Sequence, residues 1–280
     1  MPTIAEKRSA FRRLHERDCF VIPNPWDIGT ARYLQHLHFK ALATTSAGAA
    51  FSLGRPDNET VTRDDMLAHI KTIVDASDLP VNADYESGYA HEPAKVAENV
   101  RLCVETGVAG LSIEDNSGDR ANPLYDLDLA VTRIHAARAA IDKSGADVML
   151  TGRAECFLVG RPDLQEAIER LVAYAAAGAD CLYAPGIRSR DEIAAVVLAV
   201  APKPVNVLVG HPSELTVDDL AMLGVRRISV GSGMARAAWG GFIRVARGIV
   251  EQGRFDAFAD AAPNAELNKF FRDDYKRRTS

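Results

Sequence analysis

Eight short runs of strand-forming residues, each followed by a stretch of helical periodicity, constrain this 280-residue chain more than any other feature. The runs fall at 19–23, 41–45, 81–84, 110–114, 148–152, 180–183, 204–209 and 227–230. Helical patterns follow them at 27–38, 63–76, 93–106, 127–142, 163–177, 189–200, 216–223 and 234–250. Strands joined by helices must run parallel, and eight such units close into a barrel. The spacing therefore predicts an α/β fold, a (β/α)8 TIM barrel, occupying 1–280 as a single domain. An amphipathic helix within 1–18 precedes the barrel, and a helical appendage over 251–280 follows it. A doubly wound open sheet would need a Gly-x-Gly-x-x-Gly turn between a strand and a helix, and none is present.

Local signals agree. Asp27 stands where an N-cap belongs. Gly107, Gly178 and Gly224 each lie where a helix ends and the next strand begins. Ser46 to Ala50 reads as a small-residue loop whose backbone N–H groups can approach a ligand. Gly54 to Asn58 and residues 116–125, rich in glycine and polar residues, read as lids.

A chain that is 47% hydrophobic and 25% charged can bury a large core. Its net charge of −5, with no basic block, argues against nucleic acid or an anionic membrane as partner. No apolar run is long enough to span a bilayer and no signal-type segment opens the chain, so the expected location is cytoplasmic. Cys19, Cys103, Cys156 and Cys181 are far apart among apolar residues and read as reduced core residues.

In barrels of this kind the reacting groups come from the C-terminal ends of the strands. Those ends carry Asn24 and Asp27; Ser46, Gly48 and Asp57; Asp84 and Glu86; Glu114 and Asp115; Arg153 and Glu155; Tyr183; Asn206 and His211; and Ser232. Many carboxylates facing one cavity repel one another unless a cation or protons neutralise them. Oxygen-only ligation suits Mg²⁺, with Mn²⁺ as an alternative, and no His or Cys pair argues for zinc. Arg153 adds a positive fork suited either to a substrate carboxylate or to one of the rim acids.

Asn24-Pro25-Trp26-Asp27, Thr45-Ser46-Ala47-Gly48, Asp57 after Gly-Arg-Pro, Asn82-Ala83-Asp84-Tyr85-Glu86-Ser87-Gly88, Ser112-Ile113-Glu114-Asp115 and Thr151-Gly152-Arg153 together resemble the isocitrate lyase/phosphoenolpyruvate mutase superfamily. The resemblance spans roughly residues 20–245. It implies a barrel that exchanges its eighth helix with a partner subunit, in dimers of dimers, and Mg²⁺-dependent chemistry on small 2-oxo acids through an enolate. By matching position, Asp84 would ligate the metal directly while Asp57, Glu86 and Glu114 hold its waters. Ser46 with the N–H groups of Ala47 and Gly48 would grip the substrate carboxylate, and Arg153 that carboxylate or the 2-oxo oxygen.

The loop after the fourth strand separates the branches. Isocitrate-type lyases resemble one another in a Lys-(Lys/Arg)-Cys-Gly-His loop, whereas residues 116–125 here contain no cysteine, histidine or lysine. That puts an isocitrate- or 2-methylisocitrate-lyase reading in doubt, because a carbanionic leaving group needs a proton donor in reach. Phosphoenolpyruvate mutase or phosphonopyruvate-type activity lacks its lysine. Decarboxylation of oxaloacetate to pyruvate and CO2 demands least from this loop and is the leading expectation, with Arg153, Glu114, Asn122 and His211 as catalytic groups and Asn206 lining the pocket. A non-catalytic sensor of 2-oxo acids is the remaining alternative.

Overall fold

Each apolar run becomes a strand because both of its faces are covered, as parallel strands inside a ring of helices require. The computed structural model describes residues 2–279. The strands are β1 (Phe20–Ile22), β2 (Leu42–Ala43), β3 (Val81–Asp84), β4 (Gly110–Glu114), β5 (Met149–Arg153), β6 (Cys181–Tyr183), β7 (Val205–Leu208) and β8 (Arg227–Ser229). All seven ladders are parallel, in the order β1-β8-β7-β6-β5-β4-β3-β2. At the remaining seam Ala43 N donates to Pro23 O at 3.0 Å and Asn24 Nδ2 to Thr44 O at 2.8 Å. The eight strands thus form a nearly closed (β/α)8 barrel.

Register places the chemistry. Glu114 stands beside Arg153, and Arg153 beside Tyr183, across three consecutive strands. Arg227 is flanked by Phe20 and Asn206 at the other end of the barrel. Gly110 opens β4 where any side chain would collide: a Cβ there would lie 2.7 Å from both Asn82 Oδ1 and the Phe11 ring.

The helices are α1 (Ile4–Leu14), α2 (Ile28–His36), α3 (Ser46–Ser52), α4 (Arg63–Ala76), α5 (Pro93–Glu105), α6 (Leu127–Ser144), α7 (Leu164–Ala176), α8 (Arg190–Val200), α9 (Val217–Met222), α10 (Gly233–Gln252) and α11 (Asn264–Thr279). Asp27 caps α2, accepting from Thr30 N at 2.7 Å. One expectation is corrected here. The stretch Ser46 to Ala50 is not a loop but most of α3, because Thr45 caps it through Gly48 N and three alanines favour the helix.

The chain divides into two compact units, Met1–Gly233 and Met234–Ser280. The first contains the barrel. The second holds α10 past its first residue, a short 3₁₀ turn (Asp256–Asp260) and α11. Within α10 the rings of Trp239 and Phe242 meet edge to face at 5.4 Å.

Beneath the strands, α1 seals the barrel floor. Phe11 is fully buried against Phe20, Ile22, Ala41, Ala43, Ala109 and Met149, a contribution of about 1.5–3 kcal/mol for such a side chain. His15 stacks edge-on between Phe11 and Phe20, at 4.7 and 5.0 Å, with Nδ1 2.8 Å from Phe11 O. Burial, reinforced by the Arg227 guanidinium, lowers its pKa to about 3. Below the ordinary value of 6.5 the unfolded chain therefore takes up a proton that the native chain refuses. The stability that neutral His15 permits is present above 6.5 and lost as pH falls toward 3, at about 1.4 kcal/mol per pH unit. Urea unfolding at pH 6.5 and 5.0 should show the parent chain losing about 2 kcal/mol more than a His15→Phe variant. An identical pH dependence in the two would show that His15 is not held neutral by the fold.

Candidate active site

At the C-terminal mouth of the barrel one guanidinium faces three carboxylates. Arg153 Nη1 lies 3.2 Å from Asp84 Oδ1 and 3.0 Å from Glu114 Oε2, and Nε bonds Glu155. Its other side rests over the Tyr183 ring, 5.2 Å from the centroid. The second oxygen of Asp84 accepts from Ser46 N at 2.9 Å and Ser46 Oγ at 2.8 Å, at the N-terminus of α3. Below this cluster the barrel encloses a cavity of about 160 Å³, lined among others by Asp57, Asp84, Ser46, Ala47, Arg153, Tyr183, Asn206 and Arg227. That is room for about five water molecules at roughly 30 Å³ each.

The acids do not ionise freely. Burial raises Glu114 well above the usual carboxylate range against the pull of Arg153, with Glu155, Asp84 and Glu86 raising it further. Glu86 rises to about 7, mainly through burial, with Asp84 and Asp57 adding to the effect. Asp57 rises for the same reasons. Burial pulls the Arg153 guanidinium down, but Glu114, Glu155, Tyr183 and Asp84 together hold it well above its ordinary value. Tyr183 is pushed up to about 12 by burial, so its hydroxyl remains a donor.

Two loops carry the acids in a constrained form. Four non-glycine residues, Asn58, Glu59, Glu86 and Tyr89, adopt positive φ of 70°, 52°, 46° and 57°, a conformation costing of order 1–3 kcal/mol each. The loops hold each other: Glu59 N donates to Glu86 Oε1 at 2.7 Å, and Ser87 Oγ bonds the Glu59 carboxylate. The hydroxyl of Tyr89 donates to the other oxygen of Glu86. Because the chain leaves β3 after Asp84, period-two alternation does not extend to Glu86, which is buried and is not among the residues lining the cavity, though Asp84 and Asp57 are near enough to act on its charge.

The structure brings Asp57, Asp84, Ser46, Ala47, Arg153 and Asn206 to one cavity, with Glu114 against Arg153. It does not bring His211, whose Nδ1 lies 2.8 Å from Pro212 O outside the cavity lining. Nor does it bring Asn122, which lies exposed at the tip of the 116–125 segment. That segment is closed on itself, with Ser117 N donating to Pro123 O at 3.0 Å and Tyr125 N to Asp115 O at 2.9 Å. The N–H of Gly48 is given to Thr45 Oγ at 3.2 Å.

Asp115, adjacent to Glu114 but facing away from the cavity, anchors the mouth from behind. It accepts from Tyr174 OH at 2.5 Å, Arg170 Nη1 at 3.2 Å and Glu155 N at 2.8 Å, and Arg170 also reaches Tyr125 O at 2.9 Å. The helical residues Arg170 and Tyr174 had no distinguishing signal in the sequence. Arg227 had one, a charge at an inward strand position, but it opens its strand and so escapes a search of strand ends.

The donor set suits a hard divalent cation. Asp57, Asp84, Glu86 and Glu114 are oxygen donors, the charge of Asp84 helps to raise the other three, and a single arginine does not neutralise them. Among the described residues no three His, Cys, Asp or Glu side chains form a ready-made cage. A cation bound through one carboxylate and several waters, the habit of Mg²⁺, asks for none.

A family model described as phosphoenolpyruvate phosphomutase matches residues 11–250. The chain belongs to the phosphoenolpyruvate mutase/isocitrate lyase superfamily of enzymes. Among its superfamily relatives, an uncharacterised protein of Mycobacterium tuberculosis (strain H37Rv) is 32% identical over 97% of this chain and 99% of its own length. An oxaloacetate decarboxylase of Rhodopseudomonas palustris (strain HaA2) is 30% identical, covering 80% of this chain and 77% of its own. A crystal structure from Burkholderia cenocepacia J2315, assigned no more finely than lyase/mutase, superposes with a TM-score of 0.92 at 50% identity over 96% of each chain. In this superfamily member no helix among the described residues is long and apolar enough to cross a membrane.

Proposed function

We propose that the chain is a divalent-metal-dependent carbon–carbon lyase acting on a small 2-oxo acid, with oxaloacetate decarboxylation to pyruvate and CO2 as its reaction. The observation that carries this reading is the 116–125 segment: it folds as a short self-bonded hairpin and contains no cysteine, histidine or lysine. Lyases that release a carbanionic fragment need a proton donor there, whereas decarboxylation needs only an orienting pocket and a site where charge is stabilised. The decarboxylase relative supports the same choice.

Asp84 would hold the cation directly, and Asp57, Glu86 and Glu114 its waters. When bound, Mg²⁺ supplies Lewis-acid stabilisation of the oxygen on which charge develops. Arg153, kept charged by its acid neighbours, binds the 2-oxo oxygen as the C3–C4 bond breaks and its electron pair moves into the enolate. Ser46 and Ala47 form the wall beside it and Asn206 part of the floor, with Gly48 fixing the helix turn behind them. C3 then takes a proton, for which the Tyr183 hydroxyl, kept protonated by burial, is available in the cavity lining. Clasping of 54–60 over Glu86 keeps water from the enolate.

The same reading carries exchange of the eighth helix between subunits of a dimer of dimers. Trp239, Phe242 and Ile243 of α10 are exposed on a single chain, as a face covered by a second copy would be.

The test is proton NMR of the purified protein with Mg²⁺ and oxaloacetate, using the Asp84→Ala variant to correct for decarboxylation by free metal. Pyruvate should form well above that control. A rate equal to the control would exclude this substrate.

A further inference from the structure

Across the ring of strands the cavity is divided by chemistry. Ser46, Ala47, Asp57 and Asp84 enter it from β2, β3 and the segment between them. In this ring β2 stands opposite β6, and β3 opposite β7. From that far side come Tyr183 at the end of β6 and Leu208 at the end of β7, joined by Leu158 from the turn after β5. No free cation serves this wall. Of the two arginines in the lining, Arg153 is shared among three acids, and Arg227 opens β8 at the other end of the barrel.

Leu158 is 52% exposed, yet its turn is firmly held. Its N–H and that of Val159 donate to Glu155 O at 2.9 and 3.1 Å, and Arg161 N donates to Cys156 O at 2.9 Å. Glu155 is itself fixed, with its carboxylate on Arg153 and its N–H on Asp115. Next to Leu158, Phe157 packs on Gly186 so closely that a Cβ there would lie 2.5 Å from the Phe157 Cβ and 3.6 Å from Leu158 Cδ2. A half-exposed leucine is thus presented to the cavity from a rigid turn.

With the 2-oxo oxygen at Arg153 and the retained carboxylate on the Ser46 and Ala47 side, C3 of a 2-oxo diacid and the carboxylate it carries extend toward the opposite wall. We infer that Leu158, together with Leu208, is the apolar seat of the carboxylate that departs. This rests on the proposed function and deepens it by adding a catalytic residue. As the C3–C4 bond breaks, its electron pair passes into the enolate, the carboxylate leaves as neutral CO2, and C3 later takes a proton. A cation at this place would bind a charge that has to disappear, and so would favour the substrate over the transition state. Leucine offers no such hold and keeps water off the departing group.

A cation placed there on purpose tests the assignment. In Leu158→Lys, KM for oxaloacetate and kcat for pyruvate formation should both fall, kcat by about tenfold or more, because the added ion pair holds the ground state and is lost as CO2 forms. Leu198→Lys, which adds the same charge on the exposed face of α8, should do neither. Malate and lactate differ only by the distal carboxylate, so they probe the same contact without turnover. In thermal unfolding with Mg²⁺, Leu158→Lys should need about tenfold less malate than the wild type for the same rise in midpoint, and the same amount of lactate. Should the lysine chain fail to fold, Leu158→Arg takes its place in both measurements. Malate binding no tighter than in the wild type, lactate binding tightened equally, or an unchanged kcat in an active enzyme overturns the assignment. Tighter malate binding by the variant of a chain that does not decarboxylate oxaloacetate would uphold the place of Leu158 opposite the distal carboxylate and remove the decarboxylase reading instead.

Discussion

Replacing Asp84 by alanine is expected to lower metal-dependent turnover by about a thousandfold or more while leaving the fold intact. Asp84 is where three independent constraints meet: it ends β3, it accepts two hydrogen bonds from Ser46, and it faces Arg153. Of the remaining acids, Glu86 is bonded to Glu59 and Tyr89 and Glu114 to Arg153, and neither can take over as the direct ligand without breaking those bonds. Asp57 shares the cavity lining but lies outside the strands, on the 54–60 segment. Stability should change little, because Arg153 keeps Glu114 and Glu155 as partners. The check is the rate of pyruvate formation at saturating Mg²⁺ together with calorimetric titration of the metal. Activity within about tenfold of wild type would remove Asp84 from the chemistry, since loss of a single charge-stabilising group already costs more than that.

Arg153→Met should be damaging in a different way, losing both turnover and stability. The substitution deletes the one cation facing Asp84, Glu114 and Glu155 and leaves buried carboxylates uncompensated, a change that typically costs about 3–5 kcal/mol. The sign of its pH dependence follows from Glu114. Its folded pKa already lies above the ordinary 4.5, and removal of Arg153 raises it further. The variant should therefore be most destabilised at alkaline pH, and the deficit should shrink as pH falls toward 4.5 and the acids take up protons. Urea unfolding of both chains between pH 5 and 8.5 measures this directly. A deficit that is constant across that range would mean that Arg153 acts through packing on Tyr183 and not through charge.

Much of this was legible in the residues. The alternation of apolar runs with helical periodicity placed all eight strands and the helices between them to within a few residues, because strand pairing and helix amphipathicity are local patterns that burial then enforces. The position of Asp84, Glu114 and Arg153 followed too, since the end of a barrel strand is defined by sequence. Where the reading erred, a local contact decided. Ser46 to Ala50 looked like a loop from its small residues, but one Thr45 hydroxyl on Gly48 N was enough to start a helix. Glu86, two residues past Asp84, does not continue the strand's alternation, because it adopts a left-handed φ of 46° just beyond the strand end.

What the sequence determined by itself was the barrel and the identity of its mouth, because both depend on short-range order along the chain. Which side chains share the cavity was decided only by the tertiary structure. Closing eight strands into a ring brings Arg227, at the start of the last strand, to Asn206 and Thr151 and into the lining of a cavity already bounded by Asp84 and Arg153. Closure likewise leaves His211 outside the cavity lining, with its Nδ1 at the carbonyl of Pro212. Distance along the chain carries no information about such meetings. They arise when strands far apart in sequence are forced into register by the hydrogen-bond ladder and by burial of the helices around it.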